Sequence, residues 1–214
     1  MKFDRKALTL YAVTDRAWTG ERPLAADIES ALRGGVTLLQ LREKNLGCDE
    51  FLAEAIEVSA LCHRYNVPFL VNDNVDVAIR SHADGVHVGQ SDTSPAEIRR
   101  LYGKDLIIGT TARTPEEAVA AERAGADYLG VGAMFPTSTK TDTRPVTTDT
   151  LRAICGAVNI PVVAIGGINK SNISSLAGTG IAGAALVSAI FAADDIETEC
   201  RELLRLSAGI ASRV

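Results

Sequence analysis

Short runs of Val, Ile and Leu alternate along the chain with segments whose apolar residues recur every three or four positions. The runs cover Leu8–Asp15, Leu38–Glu43, Phe69–Asp73, Gly85–Gly89, Leu106–Thr111, Tyr128–Phe135, Val162–Gly167 and Gly183–Ile190. Near-continuous apolar runs of this length predict strands buried on both faces, which is how a parallel sheet reads. Eight helix-like segments fall between them, clearest at residues 24–35, 49–66, 94–103 and 114–126. Asp49, Ser94 and Thr114 are expected as N-caps, Pro95 and Pro115 as first-turn prolines, and glycines stand near several helix ends. Eight strand–helix units predict a closed (β/α)8 barrel, the TIM-barrel architecture, as one α/β domain over residues 1–214. An open, doubly wound nucleotide-binding sheet is the competing arrangement, but no G-x-G-x-x-G or Walker sequence follows any of the runs.

Composition narrows the partners. With 22 basic and 27 acidic residues the net charge is −5, which opposes nonspecific attraction to nucleic acid or an anionic membrane. An anionic small molecule must then be captured by local basic groups. The first apolar run is broken by Thr14, Asp15 and Arg16, so no secretion signal is expected. Gly180–Ala193 falls short of the roughly 20 residues that span a bilayer and is read as a buried strand running into a loop. Cys48, Cys62, Cys155 and Cys200 show no C-x-x-C spacing and, with His63, His82 and His87, complete no zinc pattern. They are expected as small buried hydrophobes in a reducing cytoplasm. A homo-oligomer is as compatible with the sequence as a monomer.

In such a barrel, polar residues at the C-terminal ends of strands face the active site. The second run carries Gln40, Arg42 and Lys44 at two-residue spacing, which in a strand aims them to one side and builds an anion receptor, unless LREK is ordinary surface. The third and fourth runs end in Asn72, Asp73 and Asp92. Two carboxylates at neighbouring strand ends would repel a polyanion by about 1 kcal/mol per charge pair at 4 Å in water. A bridging hard cation, Mg2+, removes that conflict, although the two aspartates could equally cap the following helices. The loop Pro136–Thr143 offers hydroxyls, backbone amides and Lys140 to an anion, or is a solvated turn. After the last two runs, Gly166, Gly167 and Leu186–Ser188 stand where barrels commonly bind phosphate. Two anion sites, and so two phosphorylated substrates, fit this layout. No Ser, Cys or His forms a nucleophile–base pattern, which favours chemistry by positioning, charge stabilisation and metal. His87, inside VHVG, is expected in the core or behind the site.

These motifs, LYAVTDR, LLQLREKN, VNDNVDVA, GVHVGQSD, GADYLGVGAMFPTSTK, VVAIGGI and ALVSAI, resemble those of the thiamine phosphate synthase (thiamine-phosphate pyrophosphorylase) family nearly end to end. The resemblance implies a transferase that joins 4-amino-5-hydroxymethyl-2-methylpyrimidine diphosphate to 4-methyl-5-(2-hydroxyethyl)thiazole phosphate. Thiamine phosphate and pyrophosphate are the products. It implies that Gln40, Arg42, Lys44, Asn72, Thr111 and Lys140 hold the pyrimidine diphosphate, with Arg42, Lys44 and Lys140 stabilising the leaving group. Asp73 and Asp92 are implied as Mg2+ ligands, and Thr137, Ser138, Thr139, Gly167, Val187 and Ser188 as the receptor of the thiazole phosphate.

One stretch departs from the family pattern. In IGTTART, Thr111 stands where a serine is expected near the pyrimidine, and Arg113 where a histidine is frequent. A related barrel, the thiazole tautomerase, uses a histidine there for proton transfer. A tautomerase-like or other phosphate-ligand barrel isomerase is therefore the alternative, and a non-catalytic sensor of phosphorylated ligands a third reading. Fold alone does not choose among them. Lacking that histidine and keeping Lys44 and both aspartates, the sequence favours the synthase.

Overall fold

A computed structural model describes residues 3–20, 22–137 and 145–211. Eight parallel strands close a barrel in sequential order. They are β1 (Leu10–Val13), β2 (Leu38–Leu41), β3 (Phe69–Asn72), β4 (Gly85–Val88), β5 (Ile107–Ala112), β6 (Tyr128–Val131), β7 (Val162–Ile165) and β8 (Gly183–Leu186). Closure is made by β1 against β8, with Tyr11 opposite Ala185. The expected (β/α)8 barrel is therefore present.

Side chains alternate across each strand. Leu10, Ala12, Leu39, Leu41, Phe69 and Val71 face outward and join the helices in the larger core. Tyr11, Val13, Leu38, Leu70, Tyr128 and Val163 face inward and fill the barrel. Tyr128 fits because its neighbour on β5 has no side chain: a Cβ on Gly109 would stand 2.1 Å from the tyrosine ring.

The outer layer is α1 (Leu24–Arg33), α2 (Cys48–Arg64), α3 (Val75–Arg80), α4 (Pro95–Tyr102), α5 (Pro115–Arg123), α6 (Thr148–Ala157), α7 (Ser188–Phe191) and α8 (Ile196–Ile210). Ser94 and Thr114 cap α4 and α5 through their hydroxyls, with Pro95 and Pro115 in the first turns as expected. Asp49 does not cap α2. The N-cap is Gly47, whose amide donates to the Glu50 carboxylate at 3.1 Å, so the helix starts two residues earlier and Asp49 lies in its first turn.

Two further expectations change. The crossover after β7 carries only a single 3-10 turn, Ile173–Leu176. The stretch Gly180–Ala193 is a strand followed by the short helix α7, not by a loop, and β8 ends at Leu186 rather than near Ile190. Among the described residues no helix is long and apolar enough to cross a membrane. Cys62 and Cys200 are buried, and burial pushes both thiols up to about 12, whereas Cys48 is exposed at the start of α2.

Candidate active site

A cavity of about 150 Å3 opens at the C-terminal ends of the strands. Gln40, Arg42, Asn72, Thr111 and Arg113 line it from β2, β3 and β5, while Thr137, Gly166, Gly167, Val187 and Ser188 line it from the side of β6 to β8. The structure thus brings together most of the residues singled out in the sequence. Val13, Val163 and Ile165 add apolar surface to the same lining.

On the first side, β2 ends at Leu41, so the two-residue rhythm expected through Lys44 stops short. Gln40 points into the barrel and is nearly buried. Arg42 follows the strand end and is held by the neighbouring β1 loop: its amide donates to Thr14 Oγ1 at 2.9 Å and its Nη1 to Asp15 Oδ2 at 2.8 Å. Lys44, two residues farther out, is exposed and lies outside the cavity lining.

Asp73 and Asp92 cap neither following helix. Asn74 caps α3 and Ser94 caps α4. Asp73 takes a left-handed backbone (φ 61°), and its amide donates to the His87 carbonyl at 2.8 Å. Asp92 Oδ2 accepts from the Gly89 amide at 2.7 Å, which folds the β4 loop back on itself. Neither carboxylate lines the main cavity; Asp92 borders a crevice shared with Gln90, Thr110 and Glu117. Among the described residues no group of three or more His, Cys, Asp or Glu side chains could enclose a metal.

On the second side, the glycines are required by packing of the loops themselves. Gly167 has φ +65°, and a Cβ there would stand 2.4 Å from the Pro136 carbonyl oxygen; Gly166 has φ +98°, and a Cβ there would stand 2.7 Å from Ala133. Backbone bonds from Met134 N to Ile165 O and from Phe135 N to Gly166 O, both 3.0 Å, zip the two loops together. This brings Thr137 to the cavity. Ser138, Thr139 and Lys140 lie outside the described residues.

Sequence reasoning missed two features, the Tyr11–Tyr128 contact and the Arg16–Glu43–Glu54 cluster, and singled out Arg113 without its surroundings. Tyr11 and Tyr128 meet inside the barrel with hydroxyls 2.8 Å apart, and Gln40 and His87 extend that contact on either side. Arg113 lines the cavity with its Nε buried and without a hydrogen-bond partner among the described residues. Beside the site, Arg16 binds both Glu43, at 2.9 Å, and Glu54. Burial, reinforced by Glu54, pushes the Glu43 carboxyl up to about 7. Only the placement of Glu43 between Arg42 and Lys44 could have drawn attention to it.

With the cavity defined, the comparisons bear on it directly. Residues 10–190, from the first residue of β1 to α7, match the family model described as thiamine monophosphate synthase. The chain belongs to the thiamine monophosphate synthase family. A thiamine-phosphate synthase of Ruminiclostridium cellulolyticum is 48% identical over 198 residues, covering 92% of this chain and 94% of its own. That of Clostridium tetani is 46% identical over 195 residues, covering 91% and 93%. The solved thiamine phosphate pyrophosphorylase of Pyrococcus furiosus superposes with a TM-score of 0.88 at 38% identity, covering 96% of this chain and 98% of its own. In this member of the thiamine monophosphate synthase family, the matched region contains every described residue of the cavity.

Proposed function

We propose that this chain is a thiamine-phosphate synthase, a single-domain transferase that joins the pyrimidine diphosphate to the thiazole phosphate and releases pyrophosphate. The observation that carries the reading is one cavity lined by polar residues from both β2–β5 and β6–β8, in a chain of this family. Gln40, Asn72 and Thr111 receive the pyrimidine and Arg42 its diphosphate, with Lys44 and Lys140 adding charge. Thr137, Gly167, Val187 and Ser188, together with Ser138 and Thr139, receive the thiazole phosphate.

In this reading the diphosphate departs first, and the thiazole nitrogen captures the pyrimidine-methyl cation left behind. The basic side chains stabilise the charge that develops on the departing group, and the apolar residues of the lining limit water around the cation. Asp73 and Asp92 fit Mg2+ by their chemistry: two hard oxygen donors in the loops after the adjacent strands β3 and β4 suit an ion that retains water and takes its other ligands from a diphosphate. When bound, Mg2+ supplies charge neutralisation on the leaving group worth several kcal/mol. The isomerase reading is disfavoured because Arg113, not a histidine, lines the cavity at the position where the tautomerase carries its proton-transferring histidine. The free thiols suit a reducing compartment, and the cytoplasm is the place of work in this reading.

The direct test incubates the pure protein with both substrates and Mg2+ and follows both products, with an EDTA control. Equimolar, metal-dependent thiamine phosphate and pyrophosphate are expected. Binding of both ligands with neither product would overturn the reading in favour of a sensor or an isomerase.

A further inference from the structure

We infer that Tyr11, Tyr128 and His87 are positioning residues: they form a hydrogen-bonded chain that ties Gln40 to Thr111 and forces the two ends to present opposite hydrogen-bonding character to the cavity. The pocket between those ends then suits a heteroaromatic ring that offers a donor to one end and an acceptor to the other. The inference rests on the proposed assignment of Gln40 and Thr111 to the pyrimidine and adds the residues that set what they can recognise.

The chain is continuous. Gln40 Nε2 bonds Tyr11 OH, Tyr11 OH meets Tyr128 OH at 2.8 Å, Tyr128 OH meets His87 Nδ1 at 2.9 Å, and His87 Nε2 meets Thr111 Oγ1 at 3.2 Å. Both tyrosines are essentially buried, and burial raises both phenols above their ordinary range, so each carries one proton to give. With one proton on the His87 ring, four links share four protons and the chain has two consistent senses. In the first, Gln40 donates to Tyr11, Tyr11 to Tyr128, Tyr128 to Nδ1, and Nε2–H to Thr111. That leaves Gln40 Oε1 as an acceptor and the Thr111 hydroxyl as a donor. In the second, the Gln40 amide is turned over, every link reverses, and Gln40 becomes the donor while Thr111 becomes the acceptor. In either sense one end donates and the other accepts.

Packing fixes this geometry. The missing side chain of Gly109 admits the Tyr128 ring, and a Cβ on Gly130 would stand 3.1 Å from the His87 ring. Tyr11, Gln40, His87 and Thr111 all line the cavity. An aminopyrimidine carries the complementary groups, an exocyclic N–H and ring nitrogens; a pyrimidine lacking the amino group leaves the accepting end of the chain without a partner.

The test replaces Tyr128 by Phe, which removes the central hydroxyl and keeps the ring, and Tyr11 by Phe as a second break should the first variant not fold. Steady-state kinetics with thiazole phosphate, and calorimetric binding, are run on the pyrimidine diphosphate and on its analogue without the amino group. For each variant the KM for the amino substrate should rise roughly 10- to 100-fold. The preference of the wild-type protein for the amino compound over the analogue should shrink by a similar factor, with the KM for thiazole phosphate unchanged. A folded variant that keeps the wild-type preference, even with a lower melting temperature, overturns the inference and leaves the synthase reading standing. Failure of the wild-type protein to bind the pyrimidine diphosphate overturns that reading, and this inference with it.

Discussion

Arg42 Nη1 donates to Asp15 Oδ2 at 2.8 Å, and the two side chains are only 13% and 16% exposed. The second oxygen of Asp15 accepts from the Ala17 amide at 3.0 Å, starting the 3-10 turn Arg16–Trp18. One carboxylate thus ends β1 and aims the guanidinium that follows β2. Asp15→Ala is expected to lower kcat/KM for the pyrimidine diphosphate about tenfold and stability by about 1 kcal/mol, since a lost cap and a lost charged hydrogen bond each act on that scale. Substrate kinetics and denaturant unfolding on the same preparation check it; unchanged kinetics would show that Arg42 is aimed without Asp15.

Gly167→Ala combines a left-handed backbone with a Cβ 2.4 Å from the Pro136 carbonyl. The clash is with backbone, so the β6 and β7 loops must part. A loss of about 1–3 kcal/mol in stability and a raised KM for thiazole phosphate are expected. Differential scanning calorimetry and kinetics with saturating pyrimidine diphosphate measure both; a raised KM for the pyrimidine alone would mean the two halves are exchanged.

The barrel was legible because each strand is apolar on both faces and short. The turn after β7 was not, because residues 168–182 replace helical periodicity with local side-chain bonding. Asn172 Oδ1 accepts from the Asn169 amide and its Nδ2 donates to the Gly167 carbonyl, both at 2.9 Å, and Asn169 Oδ1 takes the Ser171 amide. Side chains that satisfy the backbone this way compete with a helix. At the site, Gln40, Arg42, Asn72 and Ser188 were legible as polar residues at strand ends, and Thr111 through the family resemblance. The Tyr11–Tyr128 contact was not: it joins positions 117 residues apart, and each tyrosine in its own run reads as an ordinary core aromatic.

Glu43 gives a pH dependence with a definite sign. Its carboxyl, facing Glu54 and Arg16, is pushed from an ordinary 4.5 up to about 7 by burial first and Glu54 second. A raised folded-state value means that the protonated pair's contribution is complete below about 4.5 and is lost as pH rises through about 7. Between pH 5 and 8 the wild-type melting temperature should therefore fall by a few °C more than that of Glu43→Gln, which stays neutral throughout. Parallel curves for the two proteins would show that Glu43 does not change its protonation over this range.

Ser188 is half-buried in the cavity wall at the start of α7. Removing its hydroxyl deletes one polar contact without opening the core, so Ser188→Ala should raise the KM for thiazole phosphate several-fold and leave kcat nearly intact. An effect confined to the pyrimidine substrate would reverse the assignment of the two sides.

Asp92 separates a metal role from a structural one. Its Oδ2 holds the Gly89 amide at 2.7 Å, a bond that an asparagine oxygen can also accept. Asp92→Asn should consequently keep the β4 loop and the melting temperature while removing one negative charge from the Asp73–Asp92 pair. If that pair holds Mg2+, the Mg2+ concentration for half-maximal activity rises and kcat/KM at a fixed, limiting Mg2+ falls roughly 10- to 100-fold, the range seen when a ligand environment loses a charge or an orienting bond. Raising Mg2+ should recover part of the loss. A proportional fall at every Mg2+ concentration would instead mean that Asp92 acts through the shape of the β4 loop, and activity equal to wild type would remove it from the metal site.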